Sequence, residues 1–234
     1  MRAILDLAHE LNTIMRNPMR GHALKFEYKS RKRKSERYLS LEECRALLSV
    51  LSGRDRLIVR MFIQLGLRPE ELFALRRDDL DREFIRIDEV FTRGQIRETN
   101  PEESAVNVYV PPGLLLELRA WTASTGGNDK DWLFPSSRPR RSTILFPLNQ
   151  NSFRNRVLKP AAEKAGISNV DLLTLRRTCA THFGQNASAK DTQAQMRLSN
   201  SLTTLQYSQQ RLPESLKRAA VALETDICTN AELP

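Results

Sequence analysis

With 234 residues, 40% of them hydrophobic, the chain is long enough for one sizeable domain and a small appendage. Its 37 Lys+Arg against 28 Asp+Glu leave a net charge of +9 and a pI near 9.8. That balance favours a polyanionic partner, because neutralising phosphates releases condensed counterions, although a basic surface without such a partner fits it equally well. No apolar run approaches the ~18–20 residues of a membrane span and no signal peptide is evident, which argues against membrane insertion and secretion. Cys44, Cys179 and Cys228 are odd in number and far apart, and they form no CxxC pair and no zinc pattern with His9, His22 and His182. A reducing, cytoplasmic setting without a bound metal or other cofactor is the expectation.

Residues 1–18 read as one amphipathic helix, with Ile4, Leu5, Leu7, Ala8, Leu11 and Ile14 at roughly helical spacing and Asn17-Pro18 as its stop. The basic run Lys29-Ser30-Arg31-Lys32-Arg33-Lys34 follows, either a solvated tether or a segment that touches phosphate. The main domain opens at Tyr38. Ser40 and Glu43 have the spacing of a capping box, and Leu39 and Cys44 are placed to staple across it. A second helix carries Leu57, Ile58, Met61, Phe62 and Leu65 and stops at Gly66. Pro69 suits the first position of a third, with Glu70 and Glu71 at its positive end, so Arg68 sits at a helix-to-helix turn.

Strand signals come at Phe84–Ile87, around Val90-Phe91, and at Val106, Val108 and Val110, before Pro111-Pro112-Gly113 closes a small sheet. Helices are predicted over Leu114–Trp121, over Asn151–Ala165 with a kink or split at Pro160, and over about 175–185, 191–197, 201–210 and 213–224. The fold class is mostly α with a small antiparallel β-sheet.

Three stretches combine basic residues with a tyrosine: Gly66-Leu67-Arg68-Pro69-Glu70-Glu71-Leu72, Leu173-Thr174-Leu175-Arg176-Arg177-Thr178, and Thr203-Thr204-Leu205-Gln206-Tyr207. In this order and spacing they resemble the catalytic domain of the tyrosine recombinases, the phage integrase family, over residues 38–224. The resemblance implies double-stranded DNA as partner, Tyr207 as a nucleophile forming a 3′-phosphotyrosine, and Arg68 and Arg176 as phosphate ligands. Arginine suits that task because its planar fork binds phosphate bidentately and stays charged. The resemblance also divides the chain: 1–24 as the remnant helix of a DNA-clamping domain, most of which is missing here, 25–37 as a basic linker, 38–228 as the catalytic-type domain and 229–234 as a tail.

The departures concern proton transfer. The family's His-x-x-Arg has Leu173 at the histidine position. Its Leu-Gly-His, or a tryptophan variant, nine residues before the tyrosine, is here Met196-Arg197-Leu198, so the second histidine position holds Leu198. The family's lysine on a turn between strands falls at Asn100 in the best local match, and no lysine occurs between Lys34 and Lys130. Arg93 and Arg97 lie close by, but a guanidinium is a poor proton donor. They join Lys32, Arg33, Lys34 and Arg177 as candidate DNA contacts, Arg177 being equally compatible with simple solvation. His182 lies six residues after Arg176, about 240° round a helix, and so is read as a partly buried or surface histidine rather than a substitute acid, with Cys179 and Phe183 on the same helix as packing residues.

Two functions compete. One is a DNA-binding, integrase-like protein linked to DNA integration and recombination, weak or inactive in strand cleavage: a pseudoenzyme, whether accessory factor or decayed mobile-element product, nucleoid-associated when on DNA. The other is an active site-specific recombinase in which substitute groups support cleavage by Tyr207. Family members work as tetramers and exchange a C-terminal segment between neighbours. Residues 213–227, with Leu216, Ala219, Ala220 and Leu223 on one stripe, suit either that exchange, in a dimer or tetramer on DNA, or packing on their own domain.

Overall fold

The computed structural model of the chain describes residues 2–17, 37–98, 106–136, 146–197 and 214–228. They divide into two units, one within residues 1–35 and one within 36–234. In the first unit helix α1 spans Arg2–Glu10, shorter than the predicted 1–18. Asn12, at φ 53°, ends it by entering the left-handed region, which asparagine does more readily than most residues. The chain then turns to Asn17, whose amide donates to Asp6 Oδ1 at 2.6 Å.

The second unit opens on α2 (Leu41–Ser49), capped as its sequence requires. Glu43 N donates to Ser40 Oγ at 3.2 Å, and Ser40 N donates to Glu43 Oε2 at 3.0 Å. Leu39 and Cys44, the stapling pair, are both fully buried. Helix α3 (Gly53–Leu65) is buried at every position from Leu57 onward, the pattern of a helix enclosed by others rather than lying on a surface. Gly66 ends it at φ 61°, and Pro69 starts the short α4 (Pro69–Leu72).

After a 3₁₀ turn at Arg77–Asp79 come β1 (Phe84–Ile87), β2 (Glu89–Thr92), β3 (Gln95–Glu98) and β4 (Val106–Tyr109). They form two antiparallel pairs where one sheet was predicted. β1 pairs with β4 in the register Phe84↔Tyr109 to Ile87↔Val106. β2 and β3 form a separate hairpin around Arg93-Gly94, which at φ 52° and 81° make the kind of two-residue turn that suits the twist of paired strands. The hairpin stands apart because only Phe91 anchors it in the core while all of β3 is exposed.

Helix α5 (Pro112–Thr125) begins two residues before its predicted start, and α6 (Gln150–Phe153) leads through a π-helical turn at Arg154–Leu158 into α7 (Lys159–Lys164). The widened turn lies where Pro160 can neither donate a hydrogen bond nor tolerate the carbonyl four residues back, so the helix is modified there rather than broken. Helix α8 (Leu172–Asn186) starts earlier than predicted because Asp171 caps it, accepting from Thr174 N at 2.6 Å. Helix α9 spans Ala189–Met196 and α10 spans Glu214–Cys228. The helix predicted over 201–210 lies outside the described residues.

α3 is the hub, packed by α2, α5, α8 and α10. Phe62 from α3, Phe73 and Phe153 continue the core as a chain of aromatic contacts with centroids 5.7–6.0 Å apart. α10 buries Leu216, Ala219, Ala220, Leu223 and Ile227 against its own unit. Among the described residues no helix is long and apolar enough to cross a membrane.

Candidate functional site

The C-terminal ends of α3 and α9 converge, and three guanidinium groups meet there. Arg176 projects from α8 and is only 9% exposed. Its Nη1 donates to Gly66 O at the end of α3, and its Nη2 to Met196 O at the end of α9. The last carbonyls of a helix have no partner within it and carry the negative end of its dipole, so a cation bridging two such ends is well placed. Burial, then the neighbouring Arg197, pulls the Arg176 pKa down to about 10, which leaves it charged at neutral pH.

Arg68 sits at the turn between α3 and α4, as its sequence setting requires. Its Nη1 donates to Glu71 Oε1 at 2.8 Å, its backbone N to Glu71 Oε2 at 2.7 Å, and its Nη2 to Arg197 O at 2.9 Å. Glu71 is buried, which works against its charge, yet Arg197 and the hydrogen bonds from Arg68 hold its carboxyl below the usual range. Arg197 closes the cluster, with Nη2 2.5 Å from Glu71 Oε2 and Nε 3.3 Å from Oε1. Gly66 is fixed by space as well as by backbone: a Cβ there would stand 2.5 Å from Met196 Sδ and 3.0 Å from Cys179 Sγ.

Two predicted site residues, Arg68 and Arg176, are thus brought together although 108 positions separate them in sequence (176 less 68). Leu173 lies one turn before Arg176 on α8 and is 50% exposed. Arg177 is exposed on α8. Arg93 and Arg97 are exposed on the β2–β3 hairpin, whose first strand packs on α4; Arg97 Nη2 donates to Gln95 Oε1 at 3.3 Å. His182 is buried, with Nε2 2.7 Å from Leu39 O and its ring edge-on to Tyr38. Thr178 Oγ1 accepts from Leu39 N at 2.9 Å, so His182 and Thr178 together fasten the domain entrance to α8, a packing task. Tyr207, Leu198, Asn100, Lys32, Arg33 and Lys34 lie outside the described residues.

Sequence reading missed Arg197 and assigned Glu71 only to a helix dipole. The Arg68-x-x-Glu71 spacing was a signal for the second. For Arg197 the signal was its place at the glycine of the Leu-Gly-His pattern: it takes the left-handed conformation (φ 50°, ψ 47°) where a helix usually ends in glycine, at roughly 1–2 kcal/mol for a residue with a side chain.

The model of the phage integrase family matches residues 37–212. Over 151 residues the chain is 34% identical to tyrosine recombinase XerA of Thermococcus kodakarensis, covering 62% of this chain and 48% of that protein. XerA of Thermococcus onnurineus is 31% identical over 151 residues, covering 63% and 49%. The chain therefore spans about half the length of the curated relatives it matches. Among solved structures, the integrase of mycobacterium phage Brujita superposes with a TM-score of 0.64 at 16% identity, over 95% of this chain and 68% of that one. The Tn1549 transposon integrase in complex with a circular intermediate DNA gives 0.66 at 16% identity, over 94% and 76%. At such identity these two likenesses concern the fold.

Proposed function

The chain belongs to the phage integrase family, and from that premise we propose that it is a DNA-binding, integrase-like protein that grips a backbone phosphate through Arg68 and Arg176 and cleaves DNA weakly or not at all. The observation that carries this reading is the convergence of the two guanidinium groups on Gly66, Met196 and Glu71. The side chains come from distant parts of the sequence, and their forks suit the non-bridging oxygens of a phosphodiester. Net charge of +9 supports double-stranded DNA as the partner. Contacts to the backbone fix register on DNA without any acid or base.

Cleavage makes further demands. Metal-free attack on a phosphodiester needs charge stabilisation and a proton donor for the departing 5′ oxygen. Leu173 and Leu198 offer no hydrogen bond, and Asn100 is not an acid. Each positioned acid or base supplies roughly 10²–10⁴ in rate and each donor to a developing anion roughly 10²–10³. Losing three such groups costs on the order of 10⁶, which turns about one event per second into one in roughly ten days. In this reading Tyr207 serves as a phosphate hydrogen-bond donor or as a packing residue.

Binding to a short mixed-sequence duplex tests the grip. Arg68→Ala and Arg176→Ala are each expected to weaken it roughly 10–100-fold, the worth of a charged hydrogen bond. The slope of log affinity against log salt should shallow by about one phosphate contact in each variant. Wild-type affinity in both variants, or a salt plot that is flat for the wild type, contradicts the reading.

A further inference from the structure

We propose that Arg197 is a positioning residue: it is the standing counter-ion of Glu71, and so leaves Arg68 at liberty to exchange Glu71 for a DNA phosphate. The inference rests on the phosphate-grip reading and deepens it. Glu71 faces two arginines in unequal settings. The Arg197 side chain is 7% exposed and that of Glu71 4%, whereas that of Arg68 is 37% exposed. The inner pair is thus shut away from solvent, and the outer arginine reaches the surface.

A buried carboxylate cannot be abandoned by its only cation without a large penalty. Were Arg68 that cation, any phosphate drawing it outward would strand Glu71, and much of the contact's worth would be lost. With Arg197 in place, Glu71 keeps one cation when Arg68 turns. The charge sum agrees: Arg68, Arg176 and Arg197 against Glu71 leave a surplus of two positive charges, where Arg68 and Arg176 alone would leave one. The backbone points the same way. Arg197 occupies a left-handed conformation that suits glycine, and what its side chain gains there is the Glu71 pair together with Nη1 to Gln195 O at 3.0 Å and Nη2 to Gly66 O at 3.4 Å.

The test is duplex affinity and its salt slope in Arg197→Gly, Arg197→Lys and Arg197→Gly/Glu71→Gln, beside wild type, Arg68→Ala and Arg176→Ala. Glycine suits the backbone at this position, so folding is expected to survive; if it does not, Arg197→Met, which keeps the bulk without the charge, takes its place. Arg197→Gly should bind about tenfold or more weakly, with a salt slope shallower by about one, and adding Arg68→Ala to it should change little. Arg197→Lys should bind near the wild-type level. The decisive arm is the double variant: removing the charge on residue 71 should restore affinity, whereas a residue needed only for folding would leave the double variant as weak as the single or weaker. Unchanged affinity in Arg197→Gly, or no restoration in the double variant, overturns the inference while leaving the grip intact. Wild-type binding insensitive to both Arg68→Ala and Arg176→Ala overturns the grip and this inference with it.

Discussion

Buried charge at this protein's centre is held in place by what surrounds each group. Arg176 stays charged in spite of burial, with two helix C-terminal carbonyls as its acceptors and Glu71 nearby, and Glu71 keeps its charge because two arginines face it. Asp79 is a contrasting case. It is 4% exposed, and burial raises its pKa to about 6, with Asp88 and Asp78 nearby, against the hydrogen bond from Arg76 N and the more exposed Arg86 guanidinium 3.3 Å from its Oδ1. A carboxyl whose native pKa lies above its unfolded value near ~3.9 contributes stability below that value and loses it as pH rises through about 6. Asp79→Asn keeps an acceptor for Arg76 N without the charge. It should therefore melt a few degrees higher than wild type at pH 8 and show no gain at pH 4, in thermal melts at the two pH values. An equal difference at both would mean that the charge on Asp79 is not what costs stability.

The elements that were legible in the sequence are those fixed within a turn of themselves. Ser40 and Glu43 cap α2 across three positions, Gly66 stops α3, and Pro69 starts α4, each a local choice. Others depend on a partner far along the chain, and α5 is the clearest. Helix α5 reaches back to Pro112 because the Glu224 carboxylate on α10 accepts from Gly113 N at 3.2 Å and Leu114 N at 2.7 Å, across more than a hundred residues. The same carboxylate pairs with the buried Arg60 of α3 at 3.0 Å. No local pattern announces such a cap. Glu224→Ala should then uncap α5 and weaken the pairing of a buried guanidinium at once, costing about 2–4 kcal/mol in denaturant melts. Glu224→Gln, which still offers an oxygen to both amides, should cost less. Equal and small losses would mean that α10 is held by its apolar stripe alone.

For the molecule as a whole, order along the chain carried the family and left the chemistry open. Arg68, Arg176 and Tyr207 in sequence predict a phosphate-handling domain, and the fold brings the two arginines together as that order implies. The cluster was only half legible, since Arg197 stands where the family's Leu-Gly-His pattern has glycine and its ion pair with Glu71 spans 126 positions. The proposed function is a phosphate grip without the partners for proton transfer. A nicked suicide duplex tests that most directly, by trapping any 3′-phosphotyrosine as an adduct that survives SDS. The wild-type protein should bind this duplex and form next to no adduct within about an hour, the expectation for one event in roughly ten days, while the combined Leu173→His, Leu198→His and Asn100→Lys variant should gain one that Tyr207→Phe abolishes. A wild-type adduct that accumulates on most of the bound duplex within that time and disappears in Tyr207→Phe would contradict the proposed function and make the protein an active recombinase.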